Sequence, residues 1–224
     1  MIEHVGRIGR APEHLVYRDL RLERKGFLSL FSFAFDGVPH RFDGMARGEA
    51  VVILPVDFAR RELYMLREIR PLKPFSQTPE GKTTLKRLLD GAKDPELEVG
   101  VDTARIYEMA AGMIDKEETP EEAAVRELRE ETGLIIEASR LRRVASAFPS
   151  IGGSTELVHL FIADLPTTHV EDRVQAVGDG GEEIDILKMT WDDAFELLEK
   201  ETMGVSSGLL LRELKILDKN AEMR

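Results

Sequence analysis

The chain of 224 residues contains no cysteine, which excludes disulfides, thiolate zinc sites and a cysteine nucleophile and fits the cytoplasm. It also lacks any apolar run approaching the roughly 18 residues of a membrane span. The opening residues, MIEHVGRIGRAPEHL, carry no apolar segment of a secretory signal. The expectation is a soluble, unexported, cytoplasmic protein with no membrane partner. Basic residues are outnumbered, 31 Lys and Arg against 42 Asp and Glu, for a net charge of −11. That balance opposes broad contact with nucleic-acid backbones, which needs clustered cations to release counterions. It leaves room for a local basic site facing a small phosphate compound. With 42% hydrophobic and 33% charged residues there is no compositional case for disorder. The length suits one full domain with a real core plus a smaller appended unit.

Residues Tyr17 to Phe42 hold a partly alternating aromatic pattern, with Phe31, Phe33 and Phe35 at spacing two and Asp36-Gly37 as a hairpin signal. This predicts a small antiparallel sheet whose aromatic face must be covered, as ordinary core or as a surface that stacks on a ligand. Ala50 to Pro55 and Glu62 to Arg67 read as a strand pair joined by a turn over Asp57 to Arg61. Residues 71–103, rich in Pro, Gly, Lys and Asp, read as an inserted surface loop with one short helical stretch near Thr84 to Asp90. Then come strands at Ile106 to Ala110, Leu141 to Phe148, Glu156 to Ala163 and Ile184 to Met189. Helices are expected at Pro120 to Thr132, Trp191 to Lys200 and Ser206 to Asp218. Gly178 to Glu183 is a glycine-rich acidic loop.

The helix at 120–132 carries its own punctuation. Thr119 is placed to cap it, Pro120 suits the first helical position, Glu122 completes a capping box and Gly133 stops it. Glu127, Glu130 and Glu131 then share one face, being three and four residues apart. Like charges so spaced repel, and something must neutralise them. Hard cations take oxygen ligands, so a carboxylate cluster without His or Cys suits Mg2+. Arg126 and Arg129 offer the alternative, a solvated helix laced with ion pairs.

The longer pattern decides between these. Gly112 is followed after five residues by Glu118, and after seven more by Arg126-Glu-Leu-Arg-Glu-Glu-Thr-Gly-Leu134. The run resembles the Nudix box at every defined position, a match expected by chance on the order of once in a million given ordinary composition. The flanking stretches Glu108-Met-Ala-Ala-Gly-Met-Ile-Asp115 and Pro149-Ser-Ile-Gly-Gly-Ser-Thr-Glu156 are similar to the branch acting on ADP-ribose and nucleotide sugars, in which a proline stands where Pro149 does.

The resemblance implies an α/β/α sandwich with a mixed sheet, preceded by a small antiparallel N-terminal β-region. Residues 1–45 would be that region, with a dimerising role, and 46–224 the hydrolase domain with its insertion near 71–103. It implies Mg2+, with Mn2+ as a substitute, held by Glu127, Glu130, Glu131 and the Ala111 carbonyl, with Arg126 orienting the glutamates. Arg70, closing Arg67-Glu-Ile-Arg70, matches a phosphate-contacting arginine on a Glu-Gln-x-Arg-like strand. Glu108 and Glu156 fall on the substrate side. The implied reaction is attack of a metal-activated water on one phosphorus of a nucleoside-diphosphate compound, releasing a nucleoside monophosphate and a sugar phosphate. The base in this branch comes from a loop after the box, which leaves Glu182 and Glu183 as candidates, while Gly180 stands where some relatives place theirs. Two alternatives remain at this level: another nucleotide substrate, such as a nucleoside triphosphate or dinucleoside polyphosphate, or a nucleotide-sugar sensor without turnover. The intact glutamates weigh against the sensor.

Overall fold

The computed structural model describes residues 17–25, 28–35, 41–93, 95–166 and 184–222. It divides into two compact units, one of residues 1–48 with 150–156 and one of residues 49–149 with 157–224.

In the first unit, β1 (Tyr17–Arg24), β2 (Ser29–Phe35) and β3 (Phe42–Ala46) form an antiparallel sheet in that order. Phe31 pairs with Leu22 on one side and Gly44 on the other, and Phe33 pairs with Phe42. Phe31 and Phe33 stack at 5.7 Å between ring centres, and Phe33 and Phe42 at 5.6 Å, so the alternation does place these rings on one face. Leu22, across from Phe31, is 63% exposed. The Phe35 side chain and the Asp36-Gly37 turn lie outside the described residues. The outer edge of β3 is closed by residues 150–156: Met45 N–H donates to the Gly153 carbonyl, and Thr155 N–H to that of Met45.

The second unit is built on β4 (Glu49–Asp57), β5 (Glu62–Ile69), β6 (Arg105–Glu108), β7 (Ala110–Met113), β8 (Leu141–Ala147), β9 (Leu157–Asp164) and β10 (Ile184–Thr190). The sheet runs β10-β5-β4-β9-β8, and only β4 and β9 are parallel. β4 and β5 pair only at their hairpin, Val56 with Leu63 and Asp57 with Glu62. Beyond it the two strands part, and β6 pairs with β5 while β7 pairs with β4 in the gap.

β4 reads as a continuous apolar run because both faces of the sheet are covered. Its Ala50, Val52, Leu54 and Val56 join Trp191, Phe195, Leu210, Leu211 and Leu214 of α4 (Trp191–Lys200) and α5 (Val205–Glu222). Val51 and Ile53 face the other way, onto Ala123, Ala124 and Leu128 of α3 (Pro120–Thr132). Helix, mixed sheet and helix pair make the expected α/β/α sandwich. The β4–β5 turn is tied down by Asp57, which accepts from Arg60 N–H at 2.9 Å, and by Arg61, whose guanidinium stacks 4.5 Å from the Trp191 ring centre.

The segment following β5 contains the short helical stretch expected near Thr84 to Asp90 but is more helical than the loop expected around it. It folds into α1 (Lys73–Gln77) and α2 (Pro79–Leu89), with a single 3-10 turn at Val101–Ala104. Thr78 caps α2 by accepting from Gly81 N–H, and Pro79 takes the first helical position. No helix among the described residues is long and apolar enough to cross a membrane.

Candidate active site

The acidic helix forms as its caps dictate. Thr119 Oγ1 accepts from Glu122 N–H at 3.2 Å, and Glu122 Oε2 accepts from Thr119 N–H at 2.8 Å. Gly133 closes the helix in the left-handed region, at φ 72°. With Ala123, Ala124 and Leu128 buried against the sheet, Glu127 and Glu131 are carried over β7. Glu131 Oε2 accepts from Ala111 N–H at 2.8 Å. Glu127 lies so close over Gly112 that a side chain there would overlap its whole carboxylate. The glycine that begins the sequence pattern is therefore the floor on which Glu127 rests.

Arg126 gathers the acids. Its Nε and Nη2 donate to the two oxygens of Glu118 at 2.9 and 2.8 Å, and its Nη1 to Glu127 at 2.7 Å and Glu130 at 3.2 Å. Nη2 also donates to the Met113 carbonyl at 2.9 Å, locking helix to strand. The Arg126 hydrogen bonds hold Glu118 below the usual carboxylate range. Bonds and charges from Glu118 and Glu127 raise the pKa of Arg126 itself. Burial pushes the Glu127 pKa up in spite of Arg126, with Glu130 and Glu118 adding repulsion. Beside this helix is a cleft of about 700 Å3 lined by Val125, Arg126, Arg129, Glu130, Ile136 and Glu137 among others, within the range of nucleotide-sized ligands.

A second cluster stands along the antiparallel β5–β6 pair. Glu108 Oε2 accepts from Arg70 Nε at 2.9 Å and Nη2 at 2.5 Å, and Arg70 Nη2 lies 2.8 Å from Glu68 Oε1. Burial raises the Glu68 pKa to about 8, helped by a hydrogen bond to Glu108 and the charges of Glu108 and Glu131, against the pull of Arg70. Burial would lower the Arg70 pKa, but the Glu108 hydrogen bond and the charges of Glu108, Glu68 and Glu131 outweigh it and leave it raised. Glu131 acts on both Arg70 and Glu68, so the two clusters share one electrostatic field.

Among the described residues, no three His, Asp or Glu side chains converge at metal-ligand spacing. Arg126 supplies the positive charge in their midst instead. The donors nevertheless fit a hard divalent cation, since all of them are oxygen.

Of the residues expected from the sequence, Ala111, Arg126, Glu127, Glu130 and Glu131 come together on α3 and β7, and Arg70 and Glu108 across the β5–β6 pair. Glu156 lies in the other unit, ion-paired with Arg47 at 3.3 Å. Glu182 and Glu183 lie outside the described residues. Two residues had no role in the sequence reading. Glu118 was visible as a fixed position of the box, and its part is to take two guanidinium nitrogens of Arg126. Glu68 was signalled by alternation alone, since Tyr64 and Leu66 of the same strand face the α3 side of the core and position 68 follows them inward.

The comparisons agree with this architecture. The NUDIX domain family model matches residues 95–209, and the chain belongs to the Nudix family. It is 36% identical over 112 residues to the ADP-ribose pyrophosphatase of Bacillus subtilis, a match covering 50% of this chain and 58% of that protein. It is 28% identical over 186 residues to the GDP-mannose pyrophosphatase of Cronobacter sakazakii, covering 80% of each. With the ADP-ribose pyrophosphatase of Escherichia coli K12 the identity is 28% over 188 residues, covering 79% of this chain and 75% of the other.

Proposed function

We propose that this Nudix hydrolase cleaves the pyrophosphate linkage of ADP-ribose or of a nucleoside diphosphate sugar in a Mg2+-dependent reaction, releasing a nucleoside monophosphate and a sugar phosphate. The observation that carries the reading is the laying of Glu127 and Glu131 over Gly112 and Ala111 beside the Arg70–Glu108 pair. It sets an oxygen-donor cluster in the same field as a guanidinium suited to a phosphate. The names of the relatives supply the substrate class.

In this reading Glu127, Glu130, Glu131 and the Ala111 carbonyl hold the cation. When bound, it lowers the pKa of the attacking water and offsets charge on the bridging and leaving oxygens. Arg126 keeps the glutamates in register. Arg70, itself steadied by Glu108, binds a phosphate of the diphosphate, and Glu156 contributes on the substrate side. Glu182 or Glu183 takes the proton from water. The N-terminal β-region, residues 1–45, serves dimerisation, residues 46–224 form the hydrolase domain, and the protein works in the cytoplasm.

The test is incubation with Mg2+ and a panel of ADP-ribose, UDP-glucose, GDP-mannose, diadenosine polyphosphates and nucleoside triphosphates, with separation of the products. Turnover of ADP-ribose or a nucleotide sugar is expected; turnover confined to the other members, or none at all, refutes the proposal. Glu131→Gln should lower kcat by at least about 100-fold, the scale expected for a misplaced catalytic group, while the melting temperature holds. Near-normal turnover would reject the metal assignment.

A further inference from the structure

The proposed chemistry gives no task to Glu68, yet it is the most thoroughly buried acid around the site, 6% exposed at the core-facing end of β5. Its Oε1 stands 2.8 Å from Arg70 Nη2, and its carboxyl hydrogen-bonds Glu108, which in turn takes Arg70 Nε and Nη2. Each member of the trio touches the other two. A hydrogen bond between two carboxyl groups needs a proton on one of them. Burial, which raises the Glu68 pKa to about 8, assigns that proton to Glu68 at neutral pH.

We infer that Glu68 is a positioning residue for substrate binding: by bridging Arg70 and Glu108 it clamps the Nε and Nη2 side of the guanidinium and leaves the Nη1 edge to meet the phosphate. The inference rests on the reading of Arg70 as a phosphate contact. Its physical basis is preorganisation. Arginine is a long side chain with many rotamers, and at the end of β5, with its side chain half exposed, Arg70 would otherwise lose that freedom on meeting the substrate. Two acids on one edge remove it beforehand. They also orient the planar fork, so that what remains for the ligand is one edge in a fixed plane. A glutamine at position 68 could make the same bridge, its amide N–H donating to Glu108 and its carbonyl accepting from Arg70, whereas alanine could not.

The experiment is a double-mutant cycle on wild type, Glu68→Ala, Arg70→Ala and the double variant, with Glu68→Gln as the conservative replacement. Two quantities are read: kcat and KM with Mg2+ for the best substrate of the panel, and the dissociation constant of ADP in EDTA by calorimetry. Glu68→Ala should raise KM and weaken ADP binding about tenfold with kcat changed by less than about threefold, the pattern of lost ground-state binding. Glu68→Gln should regain most of that loss. In the Arg70→Ala background, Glu68→Ala should add less than about twofold. An undiminished penalty in that background, wild-type ADP affinity in Glu68→Ala, or failure of glutamine to rescue would each overturn the inference. If Arg70→Ala binds ADP as wild type does, the reading of Arg70 falls, and the inference with it. A weakened Arg70→Ala beside an unaffected Glu68→Ala sinks the inference alone. Should Glu68→Ala not fold, as judged by its melting curve, Glu68→Met fills the same space without the hydrogen bonds and takes its place in the cycle.

Discussion

Gly112→Ala separates the site from the fold. An added Cβ would stand well inside 3.0 Å of all three atoms of the Glu127 carboxyl group, where real Cβ atoms are essentially never found. The β7 backbone is fixed by its pairing with β4, Val51 opposite Gly112, so the flexible glutamate must yield. Restoring ordinary contact at 3.4 Å or more moves its carboxylate by about 1 Å or more, and a misplacement of about 1 Å at a reacting centre costs about 100-fold in rate. That corresponds to about 2.7 kcal/mol in activation free energy. Stability should respond far less. Gly112 has no positive φ, and alanine is favoured over glycine in a strand by roughly 0.5–1 kcal/mol, which offsets the weakened Arg126–Glu127 bond. A net change within about 1 kcal/mol moves the melting temperature by no more than about 2–4 °C in a chain of this size. The assay is kcat/KM on the best substrate of the panel with Mg2+, alongside calorimetric melting. Activity within about threefold of wild type would refute the claim that Glu127 must rest on a bare backbone. A fall of more than about 8 °C would move the defect from the site to the fold.

Thr119→Ala removes the cap of α3 and should cost about 1 kcal/mol, read as a drop of about 2–4 °C in melting temperature; an unchanged melting temperature would show the capping box to be idle. Glu68, with a folded pKa near 8 against 4.5 for the free group, binds its proton more tightly when folded, so its contribution is fully present below pH 4.5 and is lost as pH rises through 8. Glu68→Gln should therefore melt progressively higher relative to wild type between pH 5 and pH 9, and a difference that stays flat with pH would exclude the raised pKa. Dialysis against EDTA should abolish turnover, and Mg2+ should restore it; activity that survives chelation would reject a metal-dependent site.

Much of the second unit was legible because its signals are local. Thr119, Pro120, Glu122 and Gly133 mark both ends of α3, and the structure places the helix at those bounds. β4 announced itself by an apolar run covered on both faces. Of the helical hairpin after β5 only the later half of α2, near Thr84 to Asp90, was legible; α1 and the start of α2 were not, for a physical reason. Proline and glycine there read as loop formers, but Pro79 occupies a first helical position, where its missing N–H costs nothing. Gly81 lets the helices close in: a Cβ on it would overlap the Pro74 carbonyl and stand 2.9 Å from the Phe75 Cα. Composition cannot distinguish a glycine that bends a chain from one that lets two backbones meet. The role of Glu68 was hidden for a different reason. Alternation turns its side chain inward, but its partner Glu108 arrives only because β6 enters the gap between β4 and β5, a pairing of residues some forty positions apart that no local pattern records.

The site answers one question twice, namely how a chain of net charge −11 can gather acids in its interior before any cation arrives. Each cluster is built around a guanidinium: Arg126 among Glu118, Glu127 and Glu130, and Arg70 between Glu68 and Glu108. The two differ in how the excess negative charge is met. Around Arg126 three carboxylates share one guanidinium, leaving an excess of negative charge that a divalent ion can offset. Around Arg70 the excess is met by a proton on Glu68, so the trio is close to neutral and needs no metal. One cluster is thereby suited to take up a cation, and the other to present hydrogen-bond donors to an anion. Because Glu131 acts on the second cluster as well as belonging to the first, a cation taken up beside it would weaken its pull on Arg70 and its push on Glu68, coupling the two halves through a single carboxylate.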